Sequence, residues 1–244
     1  DLYRQSGGAF DITSAPLGEV WGFARRQGAL PAKADVAEAL KSVGSRYVKL
    51  DEEKGTVQFT KEGVRLNLGS IGKGYALDRA AELLAAWGIS DFLFHGGQSS
   101  VLARGHRAGT SGDAAGGWTV GVCDPLHPER RLAEIKLRDR GLGTSGSTMQ
   151  FFRHRGRRYA HLLDPRTGRP AEGVLSATVV APTAALADGL STAFFVMGPE
   201  ATEEFCRDRP EIAALFVCPA ARSGRPEIHA MGFGEGELRI LEEG

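Results

Sequence analysis

The sequence predicts an α+β fold of mixed sheets with hairpins and packed helices, and three observations carry that prediction. Apolar residues alternate in short segments that come in adjacent pairs around polar turns, the pattern of hairpins. Two segments instead repeat their apolar residues with helical period: Leu77, Ala80, Ala81 and Leu84, and later Leu186, Leu190, Phe194 and Met197. Hairpins and single helices then follow one another without the strict strand–helix alternation of a parallel sheet. The chain has 244 residues, 42% of them hydrophobic and 25% charged. That is enough for a large core, and residues 1–244 read as a single domain.

Asp1 to Ser6 reads as the end of a helix running into Gly7-Gly8, which predicts a leader and further structure upstream of Asp1. Ala9 to Leu17 is a short apolar segment enclosing one acid, Asp11; Trp21-Gly-Phe23 follows, then a polar helix from Lys33 to Val43. Val48 to Phe59 reads as a hairpin turning at Glu53-Lys-Gly55. Val64, Leu66 and Leu68 alternate with Arg65 and Asn67, the period of a half-buried strand, and a glycine loop leads from it into a helix stopped by Gly88. Phe92 to His95 is a strand entering Gly96-Gly97-Gln98-Ser99-Ser100, and 112–117 is a flexible stretch. Trp118 to Val122 and Leu132 to Leu137 pair around the connection Asp124 to Arg131. Gly141 to Ser147 reads as a second small-residue loop, and Tyr159 to Gly168 as a strand ending in Asp-Pro-x-x-Gly turn chemistry. A strand from Leu175 to Ala181 meets a helix from Ala184 to Met197, with Thr183 as N-cap and Gly198-Pro199 as terminator. A short helix, Glu200 to Arg207, and strands near Leu215, Ile228 and Leu238 close the chain.

Thirty Lys and Arg balance thirty Asp and Glu, so no net field draws the chain to nucleic acid or an anionic membrane surface. Basic residues do cluster at Arg153, Arg155, Arg157 and Arg158, read as a solvated hairpin. The three cysteines, Cys123, Cys206 and Cys218, are widely spaced and odd in number, which fits neither a disulfide framework nor a zinc site. No apolar run approaches the roughly 20 residues of a membrane span, and no charged-then-apolar signal segment opens the sequence.

The most informative stretch is Leu66-Asn-Leu-Gly-Ser-Ile-Gly-Lys-Gly-Tyr-Ala-Leu-Asp78. A glycine-rich turn at a helix start suits an anion, because unpaired N–H groups and the helix dipole favour negative charge there and Lys73 adds a full positive one. The stretch is neither a Walker loop nor G-x-G-x-x-G, and read alone it also fits an ordinary strand-to-helix turn with a solvated lysine. In the helix after Thr183, Asp188 and Thr192 lie four apart, on the side opposite Leu186, Leu190, Phe194 and Met197. A carboxylate and a hydroxyl so spaced suit a hard cation such as Mg²⁺. Read alone, they fit better an exposed helix face whose Thr bonds back to the preceding turn. His161, in a turn-forming segment, supplies a group that can move a proton near neutrality, though a histidine beside a strand end also serves structurally.

Taken together, Gly8-Ala-Phe-Asp11, Leu68 to Asp78, Gly96-Gly97, Thr144-Ser145-Gly146, His161 to Gly168 and Ala181-Pro-Thr-Ala through Ala187-Asp-Gly-Leu-Ser-Thr192 resemble the ApbE family, the FAD:protein FMN transferases. Order and spacing match over nearly the whole chain. The resemblance implies an α+β fold with FAD between lobes, Mg²⁺ on the pyrophosphate, and transfer of FMN from FAD to a Ser or Thr hydroxyl of an acceptor protein, with release of AMP. It implies a cation held by the Ser70 backbone carbonyl, Asp188 and Thr192, and flavin nucleotide contacts from Ala9, Phe10, Asp11, Asn67, Lys73 and the Leu163 backbone, with Thr144 and Ser145 close by. His161 is the candidate base; fixing the Asp164 turn or a phosphate oxygen is its alternative role. Three positions depart from the family pattern: Asn67 where Asp is common, Gln98 where Gly-Gly-Asp is common, and Ser191 where some members have a further acid. The family also places a flavin-contacting segment upstream of the residue equivalent to Asp1, and a periplasmic or membrane-anchored location. Membrane association would come only through a leader or a membrane-bound acceptor. Two alternatives share the motifs: Mg²⁺-dependent hydrolysis of FAD to FMN and AMP, and a non-catalytic flavin-binding accessory protein, which would not need Asp188, Thr192 and His161 together.

Overall fold

The structure is a computed structural model that describes residues 1–23, 28–107, 116–147, 151–220 and 225–241. Most of the stretch read as flexible, residues 112–115, lies outside them. In chain order the elements are α1 (Leu2–Gln5), α2 (Ala15–Trp21), α3 (Lys33–Leu40), β1 (Val48–Asp51), β2 (Thr56–Phe59), α4 (Gly72–Ala86), β3 (Phe92–Gly96) and β4 (Ser100–Arg104). Then come β5 (Trp118–Cys123), β6 (Arg131–Leu137), β7 (Gly141–Gly146), β8 (Phe151–His154), β9 (Arg157–Ala160), β10 (Leu163–Asp164) and β11 (Arg169–Pro170). The chain closes with β12 (Ser176–Ala181), α5 (Ala184–Cys206), β13 (Ala213–Cys218), β14 (Glu227–Met231) and β15 (Leu238–Ile240). The strand ladders are antiparallel, as an α+β chain rich in hairpins requires. Among the described residues no helix is long and apolar enough to cross a membrane. The chain forms two compact units, residues 1–70 with 147–172, and residues 71–146 with 173–244.

In the second unit a six-stranded sheet runs in the order β14-β13-β12-β7-β4-β3. One of its faces buries Leu142, Val180, Ala213 and Leu215 against Val120, Val122, Ile135 and Leu137 of the three-stranded sheet β15-β6-β5. The other face receives α5, and α4 packs Leu77 and Ala81 on Leu102 and Ala184. Gly141 to Ser147, expected as a loop, is instead largely the central strand β7. Its glycines alternate, and the reason is α5: an added Cβ would stand 2.5 Å from the Ala184 backbone at Gly141 and 2.5 Å from the Ala187 carbonyl at Gly143. Small residues of period two are therefore a strand face on which a helix lies close.

Helix α5 begins as the sequence predicts. Thr183 Oγ1 accepts the Leu186 N–H at 3.2 Å, and the helical path breaks at Gly198, whose φ is 80°. The exposed-face alternative for Asp188 does not hold. Asp188 is 4% exposed, because Gly74 of α4 and Ser100 of β4 close on its carboxylate.

The first unit is built around α2, α3 and the turn after β10. Asp164 accepts the Thr167 and Gly168 N–H groups on its carbonyl, while Arg166 grips both its carboxylate oxygens at 2.9 and 3.0 Å. Trp21 Nε1 donates to the Gly168 carbonyl at 2.7 Å. Around it Phe23, Phe152 and Tyr159 form an aromatic cluster, with ring centroids 5.3 to 6.4 Å apart. The expected strand Val64 to Leu68 is extended but forms no ladder. It makes one bridge, Arg65 to Ser14, and one bond from the Asn67 N–H to the Ile12 carbonyl at 2.6 Å. Its partner segment turns into α2 at Ala15 and leaves nothing further to pair with, so Leu66 and Leu68 stay exposed.

Candidate functional site

Asp188 is the centre of the arrangement in the second unit. Its Oδ2 accepts the Gly74 N–H at 2.7 Å and its Oδ1 accepts the Ser100 hydroxyl at 2.7 Å. Helix α4 starts at Gly72, so Gly74 and Lys73 lie in its first turn instead of in a loop before it. Part of the anion-binding capacity of that helix start is thus taken up by a carboxylate of the same chain. Burial pushes the Asp188 carboxyl above its usual range, against the Ser100 and Gly74 hydrogen bonds and the charge of Lys73; Asp78 adds to the rise. Both bonded donors are neutral, so they orient the carboxylate without cancelling its charge.

A second contact ties the two helices together. Asp78, one turn after Gly74, accepts the Ala184 and Ala185 N–H groups at 2.9 Å each. Residues 74 and 78 of α4 thereby meet 188 and 184 of α5 as two antiparallel rungs. Gly74 is indispensable to this approach, since a Cβ there would lie 2.1 Å from the Ala184 carbonyl oxygen. Replacing Asp78 with Ala is expected to cost about 1–3 kcal/mol, by leaving buried helix N–H groups unpaired, read from the midpoint of urea unfolding.

Hydroxyls continue the site along α5. Ser145 Oγ lies 2.9 Å from Ser191 Oγ and 3.1 Å from Thr192 Oγ1, and Ser191 Oγ donates to the Asp188 carbonyl at 2.8 Å. Thr144 and Ser145 part company: adjacent on β7, they point to opposite sheet faces, and Thr144 Oγ1 sits 3.0 Å from Thr178 Oγ1. The structure therefore brings Lys73, Ser145, Asp188 and Thr192 together and turns the Thr144 side chain away from them. Among the described residues no three His, Cys, Asp or Glu side chains form a cage. One carboxylate with hydroxyl and carbonyl oxygens fits a hard cation that keeps part of its water shell. Ser100, Asp78 and Gly74 are functional supports that the sequence reading left without a role. The one signal for two of them was spacing, since Gly74 and Asp78 share a helix face four apart.

The first unit holds the other residues singled out in the sequence. Ala9 and Phe10 are buried, and the Phe10 N–H donates to Ser6 Oγ at 3.0 Å. The Asp11 carboxylate is engaged by the Thr13 N–H and hydroxyl at 2.8 and 2.7 Å, and by the Ser45 hydroxyl and N–H at 2.8 and 3.0 Å. Asn67 is exposed, and its Oδ1 accepts the Gly69 N–H at 2.9 Å. Ser70 is the last residue of this unit, just before the N-cap Ile71 of α4. Leu163 pairs with Pro170, which has no N–H to donate. His161, half-buried, links β9 to β10.

Comparison with known proteins agrees with these features. The ApbE family model matches residues 1–216. The FAD:protein FMN transferase of Treponema pallidum is 34% identical over 229 residues, covering 90% of this chain and 63% of the relative. That of Escherichia coli K12 is 32% identical over 206 residues, covering 82% and 57%. The chain thus spans about three-fifths of the length of these curated relatives. The crystal structure of an ApbE protein from Thermotoga maritima superposes with a TM-score of 0.79 at 34% identity, covering 93% of this chain and 71% of that one. The apo flavinyl transferase ApbE of Pseudomonas stutzeri gives 0.76 at 30%, covering 93% and 69%. With its motifs in order, its fold matched and the family model covering most of its length, the chain belongs to the ApbE family.

Proposed function

We propose that this chain transfers FMN from FAD to a Ser or Thr hydroxyl of a target protein and releases AMP, with Mg²⁺ held by Asp188, Thr192 and the Ser70 backbone carbonyl. The observation that supports this most is the buried Asp188 carboxylate, oriented by two neutral donors at the helix start that also carries Lys73. The transferase names of its relatives point the same way. When bound, the cation would act as a Lewis acid on the pyrophosphate oxygens. Lys73 would hold the pyrophosphate by charge, while Ser145 orients the Thr192 hydroxyl. Ala9, Phe10, Asp11, Asn67 and the Leu163 backbone would hold the flavin nucleotide. The Asp11 carboxylate would act by shaping its loop, since four donors from Thr13 and Ser45 already fill it, against two on Asp188.

In the transfer step the acceptor oxygen forms a bond to the FMN phosphorus and the bond from that phosphorus to the AMP phosphate oxygen breaks. AMP leaves with the electron pair, and the hydroxyl proton passes to His161. Positioning and electrostatic stabilisation dominate such a step. His161→Ala is expected to keep FAD binding and lose about 10²–10⁴-fold in transfer rate. Wild-type rates in that variant from acid to alkaline pH would remove His161 from the mechanism.

A further inference from the structure

The basic cluster singled out in the sequence forms the hairpin β8–β9, and its chemistry is not used by the FMN transfer step. His154 pairs with Arg157, so the loop is the two residues Arg155-Gly156, with φ of 49° and 78°. Positive φ at both loop positions is the type I′ signature, for which Asn or Asp before Gly is favoured and arginine is not. Among the described residues only Asp139 and Arg155 are non-glycine residues with positive φ, and Asp139 is of a type that tolerates it. The tip therefore carries arginine against the preference of its own turn, and an outlier kept at such a cost points to function.

Charge pairing adds an independent observation. Among the described residues nine arginines, Arg65, Arg79, Arg140, Arg166 and Arg239 among them, sit within ion-pair distance of an acid. The exposed Arg153 and Arg155 have no such partner among the described residues, and no acidic residue occurs between Asp139 and Asp164. Burial, and then the like charge of Arg153, hold the Arg158 guanidinium below its usual range. The aromatic residues of the hairpin are committed elsewhere: Phe152 and Tyr159 join Trp21, and Arg158 covers the Phe151 ring at 4.0 Å. The tip thus offers guanidinium groups and no apolar wedge, which suits bidentate capture of carboxylates better than insertion among lipids or stacking on bases. Strand β9 runs directly into His161.

We propose that the β8–β9 hairpin is a docking element for an acidic polypeptide surface on the protein that receives FMN. The partner's identity as acceptor rests on the transferase reading; the acidic surface does not. Two variants test it: the double charge reversal Arg153→Glu with Arg155→Glu, and Arg155→Asn, which suits the turn and so raises thermal stability. The probe is a fluorescein-labelled decaglutamate followed by anisotropy. Wild type is expected to bind it at about 0.02 M salt and to lose about tenfold in affinity by about 0.2 M. The double reversal should weaken binding at low salt by about tenfold, and Arg155→Asn by about threefold, with FAD affinity unchanged in both. Equal peptide affinity in all three proteins would overturn the proposal. So would binding of wild type to phosphatidylglycerol vesicles but not to the peptide, which would make the hairpin a membrane contact. Peptide binding that follows the charge changes would uphold the surface even if no protein were flavinylated, so the two readings fail separately.

Discussion

Asp188→Asn is expected to lose about 10³-fold or more of Mg²⁺-dependent FMN transfer while the chain stays folded. The substitution keeps the shape and can keep both contacts if the amide oxygen accepts the Gly74 N–H and the Ser100 hydroxyl turns to accept from the amide NH2, but it removes the one carboxylate assigned to the cation, a contribution of several kcal/mol to the transition state. Stability without metal should move the other way. Burial raises the Asp188 carboxyl above its ordinary value of 3.8, so ionising it costs the folded chain more than the unfolded one. That penalty is present at pH above the raised folded value and disappears as the pH falls below the ordinary one. Near neutrality and without divalent ions, Asp188→Asn should therefore melt at or above the wild-type temperature, and the difference should shrink in acid. Added Mg²⁺ should raise the melting temperature of wild type only. Thermal melts with and without Mg²⁺ across pH, beside turnover, check each part; a Mg²⁺ shift retained by the variant would place the cation elsewhere.

Gly74→Ala should be the most destabilising single methyl in the second unit's site. Its Cβ would meet the Ala184 carbonyl oxygen at 2.1 Å and its carbon at 2.4 Å, both backbone atoms of the helix that carries Asp188. Nothing flexible is there to yield, so the two helices must part, and the expected loss is about 3 kcal/mol. Gly18 in α2 is the matched control. Nothing lies within 4 Å of its Cβ position, and Gly18→Ala should stabilise by about 0.5–1 kcal/mol through helix propensity. Denaturant midpoints of the two variants, moving in opposite directions from wild type, are the expected result. A Gly74→Ala midpoint within error of wild type would mean that α4 and α5 are not clasped as described.

Much of the fold was legible because its signals are local. Thr183 caps α5 and Gly198 breaks it where side-chain chemistry and positive φ demand, and the hairpins Val48 to Phe59 and Trp118 to Leu137 follow from alternation and turn residues. Errors arose where a distant partner decides. Val64 to Leu68 alternates like a strand but has almost nothing to pair with, and Gly141 to Ser147 looks like a loop until α5 is laid on its glycines. The candidate site divides in the same way. Lys73 at a helix start and the i, i+4 pair Asp188 and Thr192 are visible in sequence. Ser100 on Asp188, Asp78 on the start of α5, and Ser145 on Thr192 join residues 47 to 107 positions apart, and no local pattern announces them. The opposite orientation of Thr144 and Ser145 was readable in principle, but only once the segment is known to be a strand.

The central proposal, that FMN leaves FAD for a protein hydroxyl, is tested most directly by intact mass spectrometry. The chain is incubated with FAD, Mg²⁺ and a candidate acceptor protein, with an acceptor whose target Ser or Thr is replaced by Ala as control. The expected result is a covalent gain of one FMN on the acceptor, stoichiometric release of AMP, and neither product with the control acceptor or with Asp188→Asn. Free FMN and AMP appearing at the same rate with either acceptor, and no mass gain, would contradict transfer and assign hydrolysis to this site.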